Sequence, residues 1–138
     1  MAALFLDTSF VIALLSEDDG RHLTAAAEWR RQTRARSKIM VTEYIVLETV
    51  NFLISRNQRA QAIDAGVLLR NEDVDYVSVD DTLFDDGWRY LIRYKDKHFS
   101  LTDCVSFVVM KRRGIPQALT FDHHFAQAGF EILPKVKG

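Results

Sequence analysis

Four apolar residues, Ala3-Leu4-Phe5-Leu6, run without alternation into Asp7, Thr8 and Ser9. An unbroken apolar run this short fits a strand covered on both faces, as in the middle of a parallel sheet. Strand-like and helix-like stretches then alternate along the whole chain. After Ala3–Leu6 the strands expected are 39–41, 74–79, 118–121 and 131–133. Between them the spacing of apolar positions predicts helices over 9–15, 22–36, 43–55, 59–70, 82–95, 101–113 and 122–128. That order implies an α/β fold: a three-layer α/β/α sandwich around a central, mostly parallel five-stranded sheet. It also implies a single domain over residues 1–138, since no linker, repeat or low-complexity segment interrupts the pattern.

Within this frame Thr8 or Ser9 is expected to cap the first helix, and Thr42 the helix 43–55. Ala62, Ile63, Gly66, Val67 and Leu69 should face the core from helix 59–70. Leu83, Phe84, Trp88, Leu91 and Ile92 form an aromatic-rich stripe at core spacing, read as packing rather than a surface for stacking bases. Gly114 and Pro116 stop helix 101–113.

Composition narrows the class. The 138 residues are 48% apolar and 27% charged, which suits a globular chain. The single cysteine, Cys104, leaves no intrachain disulfide and fits a reducing cytoplasm. No run is long and apolar enough to span a bilayer, and no basic stretch precedes the first apolar run as in a signal peptide. A net charge of −1 gives no global field to attract nucleic acid. Any such contact must come from local patches. Two exist: Arg30, Arg31 and Arg34, and Lys111, Arg112 and Arg113. Each falls near a helix C-terminus, where the macrodipole alone favours cations; each is also a candidate ridge for backbone phosphates.

The acidic residues carry more information. In open parallel sheets, ligands gather beyond the carboxyl ends of strands. Asp7 and Asp122 each follow a strand, and Asp103 opens an apolar helix. Capping explains each of them singly; Asp103 can also answer Ser100 in a capping box. Glu48 sits in Tyr44-Ile45-Val46-Leu47-Glu48-Thr49-Val50-Asn51-Phe52, where an uncompensated buried carboxylate is costly. Either it leaves the core along a polar stripe with Asn51 and Ser55, or a cation compensates it. Carboxylates crowded at one sheet edge repel unless a cation binds them. An all-oxygen set suits Mg²⁺ or Mn²⁺ and not zinc, for which no Cys-x-x-Cys or His-Glu-x-x-His pattern is present.

Four segments, in order and spanning the chain, resemble the PIN domain, and within it the VapC-type toxins of toxin–antitoxin pairs. They are Phe5-Leu6-Asp7-Thr8-Ser9, Val46-Leu47-Glu48-Thr49-Val50, Leu101-Thr102-Asp103-Cys104 and Leu119-Thr120-Phe121-Asp122-His123-His124-Phe125. The resemblance implies an endoribonuclease dependent on Mg²⁺ or Mn²⁺. Asp7, Glu48, Asp103 and Asp122 would form its acidic quartet, with Thr8, Ser9 and Thr120 supporting the site by hydrogen bonds. It also implies a homodimer and a small antitoxin that blocks the site. The chemistry would be metal-assisted phosphodiester hydrolysis, with Asp7 and Asp103 as main ligands.

Rival chemistries fit less well. A ribonuclease using two histidines would need partners for His22, His98, His123 or His124, and none is evident; His123 and His124 read as surface residues. A haloacid-dehalogenase-like phosphatase usually carries a second Asp two positions after its nucleophile, where this chain has Ser9. A receiver domain would need an internal acceptor Asp and a late Lys that do not align together. An RNA-binding module without cleavage would lack any metal-dependent activity.

Overall fold

The computed structural model describes residues 2–135. Its order is β1 (Ala3–Leu6), α1 (Thr8–Leu15), α2 (His22–Arg34), β2 (Lys38–Thr42), α3 (Glu43–Ser55), α4 (Arg59–Leu69) and β3 (Val74–Val77). There follow α5 (Asp81–Arg93), α6 (Leu101–Arg113), β4 (Gln117–Leu119), α7 (His124–Gln127) and β5 (Glu131–Leu133). The five strands form one sheet in the order β3-β2-β1-β4-β5. Every pairing is parallel, with Phe5 opposite Met40 on one side and Ala118 on the other. β1 is therefore the central strand, and Leu4, Phe5 and Leu6 are fully buried, as an unalternating apolar run requires.

The chain winds outward from β1 to β2 and β3, then crosses the sheet to β4 and β5. Right-handed crossovers place helices on opposite faces when the winding direction reverses. The packing agrees: α1 contacts α2, α3 and α4, whereas α5 pairs with α6 and α6 meets α7. The reversal lies between β1 and β4, the position where open parallel sheets form a crevice at their carboxyl edge.

Local signals account for most boundaries. Thr42 caps α3 by accepting the Ile45 N–H. Ser100 and Asp103 form a reciprocal capping box on α6, and Gly114 ends that helix at φ 64°, a left-handed conformation natural to glycine. The first helix is capped by Asp7 itself, not by Thr8 or Ser9, so α1 begins one residue early. Helix α7 begins at His124 instead of Asp122, because Asp122 holds the preceding turn by accepting the His124 N–H.

Two apolar stripes do not face the core. On α4, Ala62, Ala65 and Leu69 are buried while Ile63 and Val67 are exposed. On α5, Leu83 and Gly87 pack inward, whereas Phe84, Trp88 and Ile92 lie on the surface. Gly87 explains the rotation: a Cβ there would lie 2.5 Å from Val105 Cγ2, so α5 approaches α6 along its small residue and turns its aromatic residues outward. No helix among the described residues is long and apolar enough to cross a membrane.

Candidate functional site

The end of β1 delivers Asp7 to the crevice. Its side chain is 4% exposed, and its Oδ2 accepts hydrogen bonds from Ser9 Oγ at 2.7 Å and Thr120 Oγ1 at 2.7 Å. Thr120, immediately after β4, is only 1% exposed and also accepts the Asp122 N–H at 2.9 Å. Ser9 Oγ accepts the Phe121 N–H at 3.0 Å. These bonds lock the turn after β4 to the start of α1 and place Asp122 beside Asp7. Phe10, fully buried on α1, stacks on Phe121 at 5.7 Å and closes the apolar side of the same junction.

Asp103 enters from the first turn of α6. Its Oδ2 accepts the Ser100 N–H at 3.1 Å within the capping box. The capping and acidic-cluster interpretations of this residue therefore hold together: one oxygen serves the helix while the side chain faces Asp122. An oxygen of Asp103, an oxygen of Asp122 and a ring nitrogen of His124 all lie within 4.8 Å of one another. Asp7 falls outside that tight triplet but lines the same cleft, of ≈ 420 Å³, together with Thr8, Ser9, Glu48 and His98.

Of the two positions the sequence left open for Glu48, the structure shows the polar stripe: Asn51 and Ser55 are exposed with it. α3 buries Ile45, Thr49 and Leu53, and Glu48 is exposed beside Leu47, which is 59% exposed. Tyr44, Val46 and Val50 are half-buried against the core, but Leu47, Phe52 and Ile54 share the exposed side with Glu48, so no burial penalty attends it. It nevertheless reaches the rim of the cleft, because α3 leaves β2 at the same sheet edge.

No arginine or lysine is ion-paired to Asp7, Glu48, Asp103 or Asp122 among the described residues. Burial, opposed by the Thr120 and Ser9 hydrogen bonds, raises the Asp7 carboxyl from 3.8 to about 6, with the nearby Asp103 and Asp122 charges adding to the rise. Burial likewise raises Asp103. These acids are held close against the ordinary preference for water. Thr8 also lines this cleft, and its Oγ1 is buried with no hydrogen-bond partner among the described residues.

The basic candidates lie elsewhere. Arg31 grips buried Glu28 at 2.8 Å, Arg112 pairs with Asp86, and Arg113 meets Asp75 at 3.6 Å. Lys111 sits over the Tyr90 ring, and Arg30 and Arg34 are exposed. None lines the cleft, and Lys111–Arg113 stand at the opposite end of α6 from Asp103. The cleft's own cation is Arg21. Its guanidinium is held by Asp19, with Nε 3.3 Å from Oδ1, and lies 4.8 Å over the Phe121 ring. The Asp19-x-Arg21 spacing just before α2 was the available signal, but a lone exposed arginine does not stand out in sequence.

His124 is the other residue whose position the sequence hid. It is half-buried, not a surface residue, and its Nδ1 lies 3.2 Å from Asp103 Oδ2 and 3.3 Å from Asp122 Oδ1. His22 is engaged elsewhere, with Nδ1 2.9 Å from the Ala13 carbonyl. A larger cavity of ≈ 700 Å³ opens between α2 and Phe121, but its acid, Glu28, is already neutralised by Arg31.

Comparison with known proteins agrees with this fold. The PIN domain family matches residues 4–131. The 23S rRNA-specific endonuclease VapC20 of Mycobacterium tuberculosis is 32% identical over 133 residues, covering 96% of this chain and 99% of that protein. The crystal structure of VapC20, described as a sarcin–ricin loop cleaving toxin, superposes with a TM-score of 0.82 at 31% identity, over 92% of this chain and 95% of that one. A VapC ribonuclease of Aquifex aeolicus is 25% identical over 136 residues, 93% of each chain. A chain of VapBC-5, a member of the VapBC family of toxin–antitoxin systems from M. tuberculosis, shares the fold, with a TM-score of 0.58 at 20% identity over 96% of this chain and 98% of that chain. With a parallel sheet that reverses its winding at β1, acids at its carboxyl edge and a match along nearly its full length, this chain belongs to the PIN domain family.

Proposed function

We propose that the protein is a divalent-metal-dependent endoribonuclease that hydrolyses RNA phosphodiester bonds, and that it is the toxin of a type II toxin–antitoxin pair. The observation that carries the enzymatic reading is the convergence of Asp7, Asp103 and Asp122 at one sheet edge, Glu48 at the rim, with no lysine or arginine ion-paired to them among the described residues. Membership of the PIN domain family supports the same reading.

The donor set suits Mg²⁺ or Mn²⁺, being mainly carboxylate. Cys104 is buried in the core and does not line the cleft. Asp7, Asp103 and Asp122 would hold the ion, with Glu48 joining directly or through water. When bound, such an ion lowers the pKa of a water nucleophile and offsets charge on the phosphate. Ser9 and Thr120 keep Asp7 Oδ2 occupied, which fixes the direction in which its other oxygen points. Arg21, stacked on Phe121 and braced by Asp19, is placed to grip a phosphate next to the cleaved one. Exposed Arg30 and Arg34 are further candidates for the RNA backbone.

Partner surfaces are available. Exposed Ile63 and Val67 on α4, and Trp88 and Ile92 on α5, are large apolar side chains of the kind buried when subunits or inhibitors dock. They support a homodimer and an antitoxin; light scattering of the isolated protein tests the first. The substrate of VapC20 makes the sarcin–ricin loop of 23S rRNA the first RNA to try.

The deciding experiment follows cleavage of ribosomal RNA by the purified protein in Mg²⁺ or Mn²⁺, in EDTA, and by Asp103→Asn. Cleavage abolished by EDTA and by Asp103→Asn is expected. Cleavage that survives both would remove the metal mechanism, and RNA binding without cleavage under any of the metals would favour a binding module.

A further inference from the structure

We propose that His124 is a direct nitrogen ligand of the divalent ion, making the site a mixed oxygen–nitrogen centre that favours Mn²⁺ over Mg²⁺. The inference rests on the metal-dependent reading above and adds a residue and an ion preference to it.

The ring nitrogen is almost equidistant from two carboxylates, at 3.2 Å from Asp103 Oδ2 and 3.3 Å from Asp122 Oδ1. A hydrogen bond explains only half of this arrangement. Nδ1 carries at most one proton and can give it well to one oxygen. Asp103 Oδ2 and Asp122 Oδ1 also accept the backbone N–H groups of Ser100 and His124, so both oxygens are held in place whichever of them takes the ring proton. By contrast, neighbouring ligands on an octahedral ion with bonds of 2.0–2.1 Å stand about 3 Å apart. The two nitrogen–oxygen distances are close to that length, and an oxygen of each carboxylate lies within 4.8 Å of the other.

The ring is also fixed in place. Its backbone N–H is tied to Asp122 at 2.9 Å, and its ring packs edge-to-face with that of buried Phe99, centroids 5.6 Å apart. The next residue, Phe125, is fully buried against Phe5 and Phe107. The imidazole therefore projects into the cleft from a rigid base.

Mg²⁺ is a hard ion that keeps oxygen ligands. First-row transition ions accept imidazole nitrogen, and of these Mn²⁺ is the one that a carboxylate-rich set also suits. Removing the nitrogen should weaken Mn²⁺ more than Mg²⁺.

The test uses the full chain with Mn²⁺ alone. Binding is measured by the loss of the free Mn²⁺ paramagnetic resonance signal, with Mg²⁺ as competitor, and the bound ion is examined by pulsed resonance for coupling to nitrogen. Wild-type protein should show a nitrogen coupling that changes on selective ¹⁵N-histidine labelling, a readout that needs no variant. His124→Gln should abolish the coupling and weaken Mn²⁺ by about tenfold or more, with Mg²⁺ affected several-fold less. Mn²⁺ bound without histidine coupling would overturn the proposal and leave the metal-dependent nuclease standing, with His124 reduced to a hydrogen-bond donor that positions Asp103. Equal losses of both ions in His124→Gln would overturn the preference for Mn²⁺. No Mn²⁺ binding at all would remove both readings.

Discussion

Asp7 and Glu48 line one cleft and are held in opposite ways. Asp7 is buried, braced by two hydroxyl groups and raised to about 6 by that burial. Glu48 stands on an exposed helical face, with no described side-chain hydrogen bond. The first is pre-organised at a cost in stability, and the second costs the fold nothing. A site that must concentrate negative charge places its central acid where the sheet holds it rigidly, and adds the outer acid from a helix surface.

The contrast can be broken most sharply at Asp7. Asp7→Asn keeps the size and hydrogen-bonding shape but removes the charge. It should lower kcat/KM for RNA by about a thousandfold or more, as loss of several kcal/mol of charge stabilisation implies; an effect below tenfold would refute the central role. Thr120→Val comes next. It strips one bond from Asp7 and one from the Asp122 backbone, and should cost about 10–100-fold in metal affinity or activity, as losses of such supporting partners do. Titration of Mn²⁺ checks the first and cleavage kinetics the second.

The stability of the metal-free protein tests the cost itself. A carboxyl whose folded pKa is raised favours the protonated, low-pH form of the fold. Its contribution is present in full below about pH 4 and is lost as pH rises through about 6. The metal-free protein should therefore lose up to about 3 kcal/mol from this group between pH 4 and 7.5. Asp7→Asn should flatten that part of the profile and be the more stable protein at pH 7.5, measured by urea unfolding in EDTA. A wild-type profile unchanged by the substitution would show that Asp7 is well solvated.

Glu48→Gln sharpens the comparison from the other side. It should reduce cleavage by about tenfold while changing unfolding free energy by less than about 0.5 kcal/mol, since it alters an exposed position. A large destabilisation would mean that Glu48 is built into the fold. The smallest effect is expected at Arg112→Ala, where the residue pairs with Asp86 on the surface and lies outside the cleft. Cleavage within about threefold of wild type is expected, with the salt dependence of RNA binding unchanged. A shallower salt slope would place RNA along the far end of α6.

Several features were legible because they depend on neighbours in sequence. Ala3–Leu6 as a central strand, Thr42 as the cap of α3, the Ser100–Asp103 box and the Gly114 stop all follow from local chemistry. The order of strands and helices dictates the layered sheet, and the positions of Asp7, Asp103 and Asp122 at element ends follow with it. Glu48 was picked out by an argument from burial that the structure reverses; its place at the cleft rests on the path of α3.

Sequence by itself therefore determined the succession of elements, the parallel sheet they build and the placing of Asp7, Asp103 and Asp122 at element ends, because a short apolar run, a cap or a left-handed stop is settled within a few residues. Tertiary structure alone decided which helical faces are covered, since Gly87 against Val105 rotates α5 and leaves Trp88 and Ile92 outside. It alone decided that His124 turns inward to Asp103 and Asp122, and that Arg21 joins the cleft instead of the arginines of α2 and α6. Those outcomes depend on distances between segments far apart in the chain, which no local propensity encodes.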